Sequence, residues 1–143
     1  MTGKAGNNAR MTKYFAAYAA TLVVMVALDM IWLGVVAKSF YQEGIGHLMA
    51  EKPVVSVAVV FYILYAIGLV FFAVVANEAT AGYAKTALYG ALFGLFAYAT
   101  YDLTNLATLK NWPVGLALLD MAWGTVVSAA SVVAGKAALD RLA

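Results

Sequence analysis

The sequence predicts an all-α, polytopic membrane protein, a bundle of four transmembrane helices with both termini on the inner side. Three observations predict it. Of 143 residues, 65% are hydrophobic and only 11% are charged, whereas soluble domains carry about 25% charged residues. Four apolar stretches are each long enough to cross a hydrocarbon core about 30 Å thick, which takes roughly 20 helical residues. The polar segments between them are short. The same composition excludes other classes. High hydrophobicity excludes intrinsic disorder. With no cysteine, disulfide scaffolds, thiolate zinc sites and cysteine nucleophiles are excluded. The nine Lys and Arg residues are scattered and form no basic stripe, so no nucleic-acid partner is expected. No glycine-rich phosphate loop, His-rich zinc motif or serine triad occurs, so neither a cofactor nor a metal is indicated.

Taken in order, residues 1–13 read as a polar N-terminal tail. The first helix is expected over 14–37. It resembles a signal peptide only in its basic prelude, because its apolar run exceeds the usual 7–15 residues and contains Asp29 and Trp32. The longest loop follows over 38–52. The second helix, 53–76, contains no charged residue and opens on Pro53, where a missing N–H costs nothing. The third is expected over 83–109. Only Lys110–Trp112 separates it from the fourth, 113–135, so those two form an antiparallel hairpin. Residues 136–143 are a short C-terminal tail, and 14–135 form one membrane domain. Helices are required because lipid offers no partner for free backbone groups. With the N-terminus inside, Lys4, Arg10, Lys13, Lys85, Lys136 and Arg141 lie inside, against Lys38, Lys52 and Lys110 outside. That is the asymmetry of the positive-inside rule.

Three acids fall within spans: Asp29, Asp102 and Asp120. Each costs about 2.5–3.5 kcal/mol in mid-membrane, so all three should face one another or a wet cavity. At 1.5 Å of rise per residue, Asp29 lies roughly 5 Å and Asp102 about 9 Å past the middle of its span, and Asp120 about 6 Å before. Spans one and three run opposite to span four, so all three acids reach one level. Their neighbours on the helix faces are Trp32, the stripe Tyr98, Tyr101, Asp102 and Asn105, and Trp123. Thr104 is near enough to Asp102 in sequence to join them. Three carboxyls with no basic residue in their layer cannot all be ionised, so at least one should hold a proton, with the proton count belonging to the cluster.

Other features are weaker. The run Leu28–Trp32 is echoed by Leu119–Trp123, a short internal repeat on antiparallel helices, as inverted repeats of transporters produce. Gly90 and Gly94 form a small-residue step that lets helices approach closely. His47, the one histidine, sits in the first loop without a metal-ligand partner. Tyr62, Tyr65 and Gly68 read either as pocket wall or as filling. No lysine lies mid-span, which argues against a retinal Schiff base.

The run Leu28-Asp29-Met30-Ile31-Trp32-Leu33-Gly34-Val35-Val36-Ala37-Lys38, followed by Phe40-Tyr41, resembles the opening of a bacterial membrane-protein family, domain of unknown function 2177. The block Tyr98-Ala99-Thr100-Tyr101-Asp102-Leu103-Thr104-Asn105-Leu106-Ala107-Thr108, then Trp112-Pro113, is similar to that family's most distinctive signature. Asp120, Trp123 and Gly124 match its last helix. The chain departs at Val75-Ala76-Asn77-Glu78, where the family pattern has a proline and a basic residue. The resemblance implies four helices in the bacterial inner membrane and supplies no activity.

Three function classes stay open. One is binding or transport of a small amphipathic or cationic ligand coupled to protonation, with a homodimer expected if transport occurs. Another is a small membrane enzyme of the acid–base isomerase type acting on a lipid or isoprenoid. The last is a structural subunit whose acids lock helix packing. The candidate catalytic groups are Asp29, Asp102 and Asp120. The candidate ligand-binding set is Asp29, Trp32, Tyr98, Tyr101, Asp102, Thr104, Asn105, Asp120 and Trp123.

Overall fold

A computed structural model describes residues 2–143. Five α-helices follow one another: α1 (Thr2–Ile31), α2 (Lys38–Ile45), α3 (Val55–Leu69), α4 (Ala84–Thr108) and α5 (Val114–Leu142). Wider π-helical turns extend α1 over Trp32–Val36 and α3 over Val70–Val74. Such turns often occur at functional sites, and the first lies one residue beyond Ile31, close to Asp29.

The count of crossing helices corrects the expectation of four. Among the described residues, three helices are long and apolar enough to cross a membrane: Gly3–Val36, Val55–Asn77 and Val114–Leu142. The chain is a multi-pass membrane protein on that basis. Helix α4 has the length, with 25 residues, but lacks the composition. Its second half carries Tyr98, Thr100, Tyr101, Asp102, Thr104, Asn105 and Thr108. The polar stripe singled out from the sequence on α4 is the same feature that withdraws it from the apolar class. The fifth helix, α2, forms within the segment expected as a loop. Two ends also differ. Helix α1 begins at Thr2, with Gly3–Thr12 exposed, and α5 runs through Lys136 to Leu142. Lys136 is therefore not a tail charge. It is buried on α5 and pairs with Asp140 at 3.4 Å, one turn on.

Helices α4 and α5 make the most extensive pairing, and α1 lies along α5 on another side. The α4–α5 turn closes because Asn111 adopts φ 60°, a left-handed conformation that Asn tolerates better than most residues. Pro113 then precedes the first turn of α5 in an extended conformation. Along the seam, Gly90, Gly94 and Tyr98 on α4 meet Val132, Ser128 and Gly124 on α5. A Cβ added at Gly94 would strike the Gly124 carbonyl and Ser128, and one at Gly124 would strike the Tyr98 ring. The four-residue spacing on both helices repeats this contact turn by turn. In lipid such close packing drives association, since burial of apolar surface does not. On the α1 side, Gly135 leaves space for Thr21 and Ala17.

The end of the bundle near the start of α1's apolar run is tied separately. Tyr14 donates to Glu78 at 2.9 Å and Lys13 pairs with the same carboxylate at 3.4 Å. This anchors the segment between α3 and α4 against α1. Exchanging Gly94→Ala should destabilise the fold by about 1–3 kcal/mol, the usual cost of overpacking. Thermal unfolding in detergent measures it. Gly34→Ala, at an exposed helical position where an added Cβ meets nothing beyond its own helix, should not lower the midpoint.

Candidate functional site

The three acids singled out from the sequence come from α1, α4 and α5, and all are buried, with Asp29 at 6%, Asp102 at 1% and Asp120 at 8% exposure. Each is enclosed differently. Asp29 accepts from two other helices: Trp123 Nε1 of α5 donates to Oδ1 at 2.9 Å, and the Tyr62 hydroxyl of α3 donates to Oδ2. Asp120 accepts from Tyr41, the phenol that α2 brings back over the bundle. The Trp32 indole N–H donates to that same Tyr41 oxygen at 3.2 Å. Asp102 lies near enough to Asp120 for the two carboxyls to interact, and among the described residues its Oδ2 is buried without a partner. Two carboxyls can hydrogen-bond only by sharing a proton, because ionised carboxylates are pure acceptors.

Helix geometry explains why these groups meet. Asp and Trp three residues apart share a helix face. That spacing occurs on α1 as Asp29 and Trp32 and on α5 as Asp120 and Trp123. The two helices are neighbours, and the indoles stack with centroids 4.4 Å apart and planes 3° from parallel. Trp123 then reaches Asp29 directly, while Trp32 reaches Asp120 through Tyr41. The five-residue echo in the sequence thus becomes a cross-braced pair in space.

A cavity of about 460 Å³ adjoins this network, with Asp29, Asp120, Tyr41, Tyr65, Tyr98 and Tyr101 among its walls. The volume lies within the roughly 300–1,000 Å³ typical of small-molecule sites. Among the described residues, no lysine, arginine or histidine lines it. Tyr65 donates to or accepts from Ser128 at 2.7 Å and packs edge-on against Phe93 and Tyr98. Tyr101 packs edge-on against Trp112. Tyr41 lies outside the membrane-spanning segments. Its burial and its bond to Asp120 raise the phenol well above its ordinary range, so it stays a neutral donor at physiological pH.

Of the residues singled out from sequence, Asp29, Tyr98, Tyr101 and Asp120 border the cavity, and Trp32 and Trp123 form the stack behind it. Asp102 sits behind Asp120. Thr104 is exposed and spends its hydroxyl on the Thr100 and Tyr101 carbonyls of its own helix. Asn105 is half-buried, and among the described residues its amide makes no hydrogen bond to the acids. Sequence reasoning missed Tyr41, and left Tyr62 and Tyr65 undecided. The available signal for Tyr41 was the apolar-and-polar run Ser39-Phe40-Tyr41-Gln42, which reads as loop only if helical periodicity is not sought between the spans.

The family described as "Predicted membrane protein (DUF2177)" matches residues 14–137. The chain belongs to that family. Its buried acids and aromatics all fall within the matched region. The family description carries no activity, and neither a curated protein nor a solved structure matches the chain.

The indole stack is directly testable, since the chain has three tryptophans. Trp32→Phe and Trp123→Phe should each abolish the paired-indole signal in near-ultraviolet circular dichroism, while Trp112→Phe retains it. Trp123→Phe should also destabilise by about 1–3 kcal/mol, because it leaves a buried Asp29 oxygen without its donor.

Proposed function

We propose that the cavity binds a small amphipathic cation, and that binding releases a proton shared by Asp102 and Asp120. The carrying observation is a 460 Å³ cavity whose wall includes two carboxyl groups and no basic side chain. Aromatic walls support the same reading, because aromatic faces attract desolvated cations. Asp120 couples the site to protonation. It faces the cavity on one side and Asp102 on the other, and two adjoining buried carboxyls cannot both be charged cheaply. A cation beside Asp120 takes over the role of the proton.

A structural role is favoured by a different observation. Every hydrogen bond made by the Asp29 and Asp120 side chains reaches another helix, so these acids also lock the bundle. The readings part on charge. An amide keeps an acceptor and the shape of the side chain, so a purely structural acid tolerates exchange far better than a cation-binding one.

Titrating the detergent-purified protein with hexylamine should produce a saturable change in tryptophan emission and release about one proton per site in weak buffer. The double variant Asp29→Asn and Asp120→Asn should bind roughly ten- to a hundredfold more weakly, the loss of a charge-assisted bond worth about 1.5–3 kcal/mol. Far-ultraviolet circular dichroism checks that the variant is folded. Absence of a saturable response in the native protein overturns the proposal.

A further inference from the structure

We infer that the ligand is a single-chain amphiphile with a cationic head, and that it enters the cavity sideways from the lipid between α3 and α4. The inference rests on the cavity being a cation site and adds the route and the ligand class. The residues bordering the cavity divide into a floor and a rim. Asp29, Asp120 and Tyr65 are buried. Leu33, Phe61 and Tyr101 border the same cavity and are 40%, 43% and 52% exposed. A side chain that borders a cavity and also faces outward marks its mouth.

Two of the three rim residues lie on helices long and apolar enough to cross a membrane, and the third, Tyr101, lies on α4. Phe61 belongs to the apolar helix Val55–Asn77, and Leu33 to Gly3–Val36. Helix α3 stands apart at that level. Val55–Leu64 are exposed except for the half-buried Tyr62. The α3 segment comes against α4 chiefly further along, at its π-helical turn Val70–Val74. Lipid tails therefore lie against the rim.

The other approach is roofed. Helix α2 is fastened over the cavity by Tyr41 on Asp120 and by the Trp32 indole on Tyr41. Gly44 seats α2 against Pro113 and Leu116, where an added Cβ would come within 3.2 Å of both. A molecule entering from the side has its tail in hydrocarbon before its head reaches the carboxyls. That sequence suits an amphiphile already dissolved in the bilayer. The apolar rim accommodates a chain, and the acidic floor accommodates a protonated amine.

Because the native chain has no cysteine, single cysteines report the route cleanly. Phe61→Cys and Tyr101→Cys probe opposite lips. Val60→Cys and Leu103→Cys probe exposed neighbours on the same two helices. Each variant, in phosphatidylcholine vesicles, is labelled with a lipid-soluble maleimide with and without octadecylamine. At about ten times the dissociation constant, labelling at both lips should slow about tenfold and labelling at the neighbours should not change. Testing the lips separately keeps loss of one side chain from masking the other. A saturable tryptophan response to octadecylamine with unprotected lips overturns the lateral route and leaves the cation site standing. A response to hexylamine but none to octadecylamine overturns the ligand class. No response to either amine overturns the site and the inference together.

Discussion

A carboxyl group withdrawn from water must have its oxygens occupied by donors, and in this bundle those donors come from other helices. Asp29 holds α3 through Tyr62 and α5 through Trp123. Asp120 holds α2 through Tyr41. Burying a polar group without compensation costs several kcal/mol in an apolar medium, so the helices that carry the donors are constrained to the positions that deliver them. Helix α3 shows the effect most clearly. Its first turns are mostly exposed, and Tyr62 is the side chain by which that half reaches a buried acid.

Close packing supplies the frame on which those bonds are aimed. The seam of Gly90, Gly94 and Tyr98 against Val132, Ser128 and Gly124 sets the register between α4 and α5. One turn beyond Tyr98 on α4 is Asp102, and one turn before Gly124 on α5 is Asp120. The two carboxyls meet because an antiparallel seam with four-residue steps continues into them. The indole stack does the same between α1 and α5. The packing seam and the candidate site are thus continuous along the same helices, with a difference in kind. The seam depends on size, and the acid network depends on proton and donor chemistry.

Much of the candidate site was legible in the chain because membrane composition makes polar residues conspicuous. Against long apolar runs, Asp29, Asp102 and Asp120 stand out, and all three are buried in the structure. Tyr98 was legible as the continuation of a glycine step. Tyr41 was not, because its distance from Asp120 in the chain is 79 residues and it lies between spans, where hydropathy is uninformative. Thr104 illustrates the opposite error. Nearness in sequence to Asp102 suggested a shared role, but successive helical residues point about 100° apart. The fourth expected crossing failed for a related reason. Length counted in favour of α4, whereas its polar second half takes it out of the purely apolar class.

By itself, the sequence determined that the protein is helical and multi-pass and that three acids interrupt its long helices, because each of these follows from local composition and from fixed rise per residue. The tertiary structure alone decided which donor serves which carboxyl, that Tyr41 of α2 folds back onto Asp120, and that a cavity lies beside Asp29 and Asp120. Those outcomes depend on how helices rotate and tilt against one another. Rotation and tilt are set by packing among residues far apart in the chain, a quantity that no local pattern contains.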